Sequence, residues 1–253
     1  MSIRAWSRWQ ASGTHLLICV AIAAAAVTLM LTLWYPWPLF EAAGGNDLLI
    51  ILVGVDVTLG PLLTLVVFKA GKPGMKFDLV AIALVQVAAL LYGGYIVFLA
   101  RPAFIVFVKD RFELVSAADL PPEELASARY PQFRHAPLTG PKLAAAVMPA
   151  DPAERRKVIE AALAGRDLQQ QPRLWVPYEE RRAQVLAKAQ PLERLRKDSD
   201  VGRAIDEYLA SAGSGAGDAP SLLLRTRFAW LVVLLDPGTA QPTKMLLGKK
   251  ISS

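Results

Sequence analysis

The chain is 253 residues long; 54% of these residues are hydrophobic, 20% are charged, and the formal net charge is +6. Five basic and four acidic residues lie in 1–100, against 23 basic and 18 acidic residues in 101–253. This imbalance excludes a single soluble globule and predicts a lipid-embedded first part and a water-soluble second part. The one cysteine, Cys19, excludes a disulfide within the chain and a cysteine-built metal site. The two histidines, His15 and His135, disfavour a histidine-built catalytic centre.

Three long apolar runs predict three transmembrane helices, at about 15–34, 48–68 and 79–100. About 20 residues at a rise of 1.5 Å cross a hydrocarbon core of ~30 Å, and each run is long enough. The first run is followed by an aromatic cluster, Trp34-Tyr35-Pro36-Trp37-Pro38, rather than by a small-residue cleavage site. We therefore expect an uncleaved signal anchor rather than a cleaved signal peptide.

Basic residues in the loops predict the orientation. Two arginines precede the first run, and no Lys or Arg occurs in the loop 35–47. The loop 69–78 contains three lysines, Lys69, Lys72 and Lys76. The positive-inside rule then places the N-terminus and the lysine loop in the cytoplasm and 101–253 in the periplasm of a bacterium. The three lysines set topology and contact anionic membrane lipid, or else bind an acidic cytoplasmic partner.

The residue patterns of the second part, 101–253, predict a soluble α+β domain that follows the membrane domain of 1–100 in the chain. Its hydrophobic periodicity and turn signals favour a hairpin of two strands early on and a second hairpin at the C-terminus. Proline and acidic residues at the first turns predict helices between them. The predicted strands are 103–108, 111–115, 142–148, 221–225, 228–235 and 243–247, the helices start at 121, 151, 177 and 201, and a flexible linker lies near 211–220.

Asp56 lies near the middle of the second predicted span, where an aspartate costs ~2.5–3.5 kcal/mol on insertion scales. Gln86, at comparable depth in the third span, is the best candidate for its hydrogen-bond donor. Because Pro61 lacks an N–H and cannot make the helical hydrogen bond, we expect a kink in the second span. These three residues fix the packing of the helices, or they form a polar grip and a groove for the helix of a client protein.

In the second part, Arg101 is expected to anchor the end of the third span at the membrane interface, and Asp110 with Arg111 to form a hairpin salt pair or a binding element. No motif of a hydrolase, metalloprotease, redox protein or phosphate-binding loop occurs, so we expect no enzyme activity, cofactor or bound metal. The basic residues do not indicate nucleic-acid binding, because acids are interleaved with them, as in Glu179-Glu180-Arg181-Arg182.

Several separated segments resemble the type IV pilin accessory proteins of the TfpX/TfpZ family. They are VDVTLGPLLTLVVFK at 55–69, GKPGMKFDLVAIALVQVAALLYG at 71–93, ARPAFIVFVKDRFELVSAADL at 100–120 and GRDLQQQPRLWVPYEERRAQVLAKAQPLERL at 165–195. The resemblance implies an inner-membrane protein, not an enzyme, that helps a cognate major pilin assemble into pili.

On this hypothesis the protein is an assembly chaperone or stabiliser that contacts the major pilin directly. The excess of five positive charges in 101–253 suggests that the recognised surface of the pilin head is acidic. The alternative is a membrane-anchored sensor whose periplasmic domain binds a ligand. The short N-terminus and the ten-residue loop disfavour the sensor, because they leave no room for a cytoplasmic output domain.

Overall fold

The computed structural model describes residues 6–69, 72–213 and 215–251, apart from the side chains of Ile51, Leu52 and Val55. The chain divides into two compact units. The helical unit comprises the chain up to Thr32 together with Gly45–Leu99. The sheet unit comprises Leu33–Gly44 and the chain from Ala100 onward. The segment Leu33–Gly44, which sequence reasoning placed in the membrane domain, thus folds with the sheet.

Three long helices form the helical unit, and they lie where the apolar runs predicted them. The first begins at a capping box, in which the Ser7 hydroxyl accepts from the Gln10 N–H and the Gln10 side chain accepts from the Ser7 N–H. It ends in a π-helical turn, Met30–Trp34. The helices are α1 (Arg8–Leu29), α3 (Gly45–Val67) and α4 (Met75–Ala100).

Two of these helical stretches, Arg8–Trp34 and Met75–Ala100, are long and apolar enough to cross a membrane. Only 11% and 6% of their most apolar windows are buried, which distinguishes them from the core helices of soluble proteins. Among the residues whose side chains are described, α3 contributes the apolar stretch Asp56–Val67. The helices begin before the predicted runs, at Arg8, Gly45 and Met75, and end within one residue of the predicted limits.

Eight described strands form one mixed sheet in the sheet unit, with the order β4-β3-β1-β2-β6-β7-β8, and β5 pairs with β6. Two pairings are parallel, β1 with β3 and β2 with β6, and the others are antiparallel. The strands are β1 (Pro102–Val108), β2 (Arg111–Ser116), β3 (Lys142–Ala146), β4 (Trp175–Pro177), β5 (Gln190–Pro191), β6 (Pro220–Arg225), β7 (Ala229–Leu235) and β8 (Pro242–Lys250).

The sheet unit also contains shorter helices. They are α2 (Leu39–Ala42), α5 (Pro122–Ala126), α6 (Pro152–Leu163), α7 (Arg182–Lys188), α8 (Leu192–Leu195) and α9 (Gly202–Ser211). The central strand β1 is buried along its whole length. Its alternate residues Phe104 and Val106 pack into a cluster with Trp175, whereas Ile105 and Phe107 pack into a second cluster on the other face. This two-sided burial explains why β1 is a continuous apolar run.

Both predicted hairpins are confirmed, as β1–β2 and β7–β8. The predicted start of α6 is also confirmed, since Asp151 accepts a hydrogen bond from the Glu154 N–H. The single helix expected from Pro177 is wrong: a 3₁₀ turn, Tyr178–Arg181, precedes α7. The chain then becomes extended, because Gln190 precedes a proline and disfavours the helical region.

The predicted linker near 211–220 is partly regular structure. The helix α9 continues to Ser211, a 3₁₀ turn forms at Ala216–Asp218, and β6 begins at Pro220. Ser214 lies outside the described residues. The described residues of this segment thus include the end of α9, a 3₁₀ turn and the start of β6.

Candidate functional site

Polar side chains connect α1 and α3 inside the helical unit. The Ser12 hydroxyl donates to the carbonyl oxygen of Pro61 at 2.9 Å, and His15 Nδ1 lies 2.6 Å from Thr64 Oγ1. Thr64 is only 2% exposed. The α3 helix continues through Pro61, and the Ser12 contact gives the backbone at the proline a side-chain donor from the neighbouring helix.

Gln86 of α4 inserts against the backbone of α3. Its Nε2 donates to the backbone carbonyl of Asp56 at 3.2 Å and to Cys19 Sγ at 3.7 Å. The prediction that Gln86 donates to the Asp56 carboxylate is therefore wrong, because the acceptor is the backbone carbonyl of the same residue. Gly60 permits this contact with the backbone, because a Cβ at residue 60 would lie 1.9 Å from Gln86 Nε2. Without that Cβ, the amide reaches the main chain of α3.

A cavity of about 200 Å³ lies between these three helices. Its wall is mainly apolar, and its polar groups come from His15, Cys19, Asp56 and Gln86. Gln86 Oε1 is buried and has no hydrogen-bond partner among the described residues. The cavity can therefore accept apolar side chains, and the buried Oε1 is an unsatisfied acceptor behind its wall. No group of three or more His, Cys, Asp or Glu side chains that could hold a metal ion occurs within the described part of the chain.

Arg101 does not have the exposed position expected of an interfacial anchor. It is 4% exposed, and its Nε donates to the carbonyl oxygen of Pro137 at 3.0 Å. Burial lowers the pKa of the Arg101 guanidinium and raises the pKa of the nearby Tyr35 hydroxyl, and the attraction between the two groups partly opposes both shifts. Arg101 thus connects the N-terminal end of β1 to the segment around Pro137 in the interior of the sheet unit.

Arg111 forms its ion pair with Glu113 rather than with Asp110, so the expected hairpin salt pair is wrong. Arg111 Nε lies 2.9 Å from Glu113 Oε1. Alternate residues of a strand share a face, which brings the side chains of residues 111 and 113 together. Glu113 also lies opposite Arg225 in the parallel β2–β6 pair. The exposed Asp110 stays in the hairpin turn.

The three lysines of the loop 69–78 are exposed, as a solvated or lipid-facing loop requires. Lys72 Nζ lies 2.6 Å from Asp78 Oδ2. Ala70 and Gly71 of this loop lie outside the described residues, as does Arg4 at the N-terminus. The ion pair leaves the loop with an excess of positive charge.

Comparisons with known proteins cover both units. The chain is 36% identical over 229 residues to the fimbrial assembly protein of serogroup I from Dichelobacter nodosus, which is 88% of this chain and 89% of that protein. It is 34% identical to the serogroup E1 protein of the same organism, over 78% of this chain and 79% of that protein. The chain belongs to the family of fimbrial assembly proteins.

Residues 3–44 also match the family described as Fimbrial assembly protein FimB. A third fimbrial assembly protein, of serogroups C1 and C2 from Dichelobacter nodosus, is 34% identical over 46% of this chain and 91% of its own length. No solved structure matches the chain significantly. Membership of the fimbrial assembly family confirms the resemblance to the type IV pilus accessory proteins.

In this member of the fimbrial assembly family, sequence reasoning missed the role of the segment Leu33–Gly44. The Thr226 hydroxyl donates to the carbonyl oxygen of Ala42 at 2.6 Å. Gly44 has a φ of +77° and lies against the Phe228 ring, where a Cβ would come within 2.9 Å of the ring. The apolar and aromatic character of this segment was the available signal, because a solvated loop rarely needs buried side chains such as Leu39.

Proposed function

We propose that the protein is an inner-membrane accessory protein of the type IV pilus, an assembly chaperone or stabiliser that promotes pilus biogenesis through direct contact with the major pilin. The observation that carries this proposal is the 36% identity to a fimbrial assembly protein over 88% of the chain. Because the match is nearly end to end, it includes helices and sheet alike. An activity that needs both units is therefore the one most compatible with the comparison.

Membrane placement is the second element of the proposal. We infer that α1, α3 and α4 all cross the inner membrane, with the N-terminus and the lysine loop in the cytoplasm and the sheet unit in the periplasm. The exposed apolar surfaces of Arg8–Trp34 and Met75–Ala100 support two crossings. The third crossing uses α3, whose 23 residues are long enough at 1.5 Å per residue. The inward-facing polar contacts of Ser12 and Gln86 satisfy groups that lipid would leave unpaired.

The two units suit a partner that also has a membrane-embedded part and a soluble part. We expect the cavity beside Asp56 and Gln86 to contact the apolar helix of the pilin, and the sheet unit to contact its globular head. Two weak contacts on connected modules reinforce each other, since the first raises the effective concentration for the second. Neither contact then has to be strong enough to prevent release of the pilin into the growing pilus.

Deletion of the protein tests this function. The deletion strain is expected to keep normal pilin transcript but to lose most surface pili, and expression of the full chain should restore them. Pili are counted by electron microscopy, and pilin stability is followed by pulse-chase. The matched control is the strain complemented with an empty vector.

Reporter fusions provide the topology arm of the same test. A reporter that is active only in the periplasm should work when fused after residue 110 and fail when fused at residue 73. Normal piliation after deletion would contradict the accessory function, and the opposite reporter pattern would contradict the orientation.

A further inference from the structure

Two adjoining cavities open around the tip of the β1–β2 hairpin in the sheet unit. The first, of about 410 Å³, lies between the hairpin tip, α6 and the end of β6. The second, of about 460 Å³, lies between β1, β3 and α7. Lys109, Met148 and Leu168 line both of them. We call the combined surface the hairpin-tip groove.

The wall of the hairpin-tip groove is apolar and open to solvent. Ile159 and Leu163, one turn apart on α6, are 50% and 85% exposed. The buried side chain of Val158 and the shared Met148 also line this groove. Exposed apolar residues one helical turn apart beside a concavity are typical of a surface that binds apolar side chains.

The rim of the hairpin-tip groove is basic. Two acidic residues line it, Glu113 and Asp167. Five basic residues line it: Lys109, Arg111, Arg181, Lys188 and Arg225. The groove therefore has an excess of three positive charges, which is more than half of the excess of five in 101–253. Positive charge concentrated in a concave surface attracts and orients an acidic partner.

A buried carboxylate organises part of this rim. Glu113 is 8% exposed and has one arginine, Arg111, within 2.9 Å and a second, Arg225, opposite it in the sheet. One carboxylate cannot neutralise two guanidinium groups. The Arg111 side chain remains 42% exposed, so it keeps N–H donors that can meet a carboxylate of a ligand.

We propose that the hairpin-tip groove binds an acidic segment with apolar side chains on the globular part of the client pilin. Its apolar side chains contact Ile159 and Leu163, and its carboxylates contact Arg111, Lys109 and Lys188. A polyanionic ligand such as a lipid surface fits less well, because Glu113 and Asp167 interrupt the basic rim. This inference rests on the proposed function and names the recognition surface within it.

Site-specific photocrosslinking in the full chain, expressed in piliated cells, tests the contact. A photoreactive residue in place of Leu163 is expected to capture the pilin. The matched control is Leu138, which is 70% exposed in the same unit and lines neither cavity. Equal capture from both positions would overturn the proposal, and so would capture from Leu163 of only lipid or a second copy of this chain.

Charge reversal tests the basic rim. The double variant Lys109→Glu with Lys188→Glu should reduce capture from position 163 and the number of pili by roughly tenfold, because two attractive contacts become repulsive. The control is Arg194→Glu with Lys197→Glu, an equal charge change at exposed positions outside both cavities. Equal losses in both double variants would overturn the role of the rim. Protein level and thermal melting must match those of the wild type.

A crosslinker at Leu62 of α3, whose side chain is 51% exposed, separates this proposal from the proposed function. Capture of pilin from Leu62 but not from Leu163 would overturn the groove and leave the accessory function intact. Capture from neither position, with normal piliation in the deletion strain, would overturn both.

Discussion

Leucine and valine are exposed along α4 of the helical unit and buried along β7 of the sheet unit. Leu84 and Val85 are 64% and 69% exposed, whereas Leu231, Val232 and Val233 are completely buried. In the sheet unit, neighbouring strands and helices of the same chain cover these side chains. The side chains of α4 require cover from outside the chain, which lipid supplies in the proposed placement.

The polar contacts of the two units also differ in kind. In the helical unit they face inward, as in Ser12 with the Pro61 carbonyl and His15 with Thr64. In the sheet unit, ion pairs such as Arg196 with Asp206 lie on the surface. The helical unit thus has hydrogen bonds between its helices, whereas the sheet unit combines surface ion pairs with buried hydrogen bonds, such as that of Thr226 to the Ala42 carbonyl, inside an apolar core.

Leucine-to-alanine substitutions test this comparison with the largest expected effect. Leu231→Ala removes a completely buried side chain from the core of the sheet unit and should cost about 2–5 kcal/mol of unfolding free energy. Leu84→Ala, at a 64% exposed position of α4, should change the unfolding free energy by less than about 0.5 kcal/mol. Denaturant unfolding of the full chain in detergent, followed by tryptophan fluorescence, measures both values.

Comparable losses from Leu231→Ala and Leu84→Ala would break the comparison, because they would place the α4 side chain in a protein core. An intermediate loss from Leu84→Ala that disappears in lipid vesicles would instead indicate that detergent covers the helix poorly.

Gly60 and Gln86 test the inward polar packing. Gly60→Ala places a methyl group where the Gln86 amide lies and should cost about 1–3 kcal/mol. Gln86→Ala removes the obstacle, so Gly60→Ala in that background should be neutral or stabilising, since alanine is the better helix former by about 1 kcal/mol. A double-mutant cycle on the unfolding free energies measures the coupling. Additive effects would show that the two residues pack independently.

The elements that sequence reasoning predicted well are those with local signals. Asp151 followed by a proline and an acid predicted the start of α6, and Lys109-Asp110 between two apolar runs predicted the β1–β2 hairpin. The parallel pairings β1–β3 and β2–β6 were not predictable, because they join strands that are distant in sequence. No local pattern encodes such a partner.

The candidate site was predictable only in part. An isolated acid and an isolated amide in apolar runs identified Asp56 and Gln86, but not that a missing Cβ at Gly60 would direct the amide to the main chain. Arg101 reads as an interfacial residue in sequence, whereas its burial depends on packing within the sheet unit. Burial of one polar side chain is a property of the whole fold, so a short window of sequence does not contain it.

Substitution of Glu113 is expected to have the smallest effect on stability, and it tests how the sheet unit accommodates a buried charge. Burial raises the pKa of the Glu113 carboxyl above its ordinary value of 4.5, and the Arg111 ion pair opposes this only in part. The folded protein thus holds the proton more tightly than the unfolded chain. Stability from this group is complete below pH 4.5 and declines as the pH rises through the raised pKa.

Glu113→Gln removes this titration, so the variant should gain stability relative to the wild type as the pH rises from 4 to 8. Thermal melting across this range measures the difference, and Glu160→Gln at an exposed position of α6 corrects for the general loss of a negative charge. A gain in stability for Glu113→Gln that is the same at pH 4 and pH 8 would show that desolvation of the carboxylate is not its source. A loss that grows with pH would mean that the pairing with Arg111 outweighs burial, and that the sheet unit, like the helical unit, depends on a polar contact made within its interior.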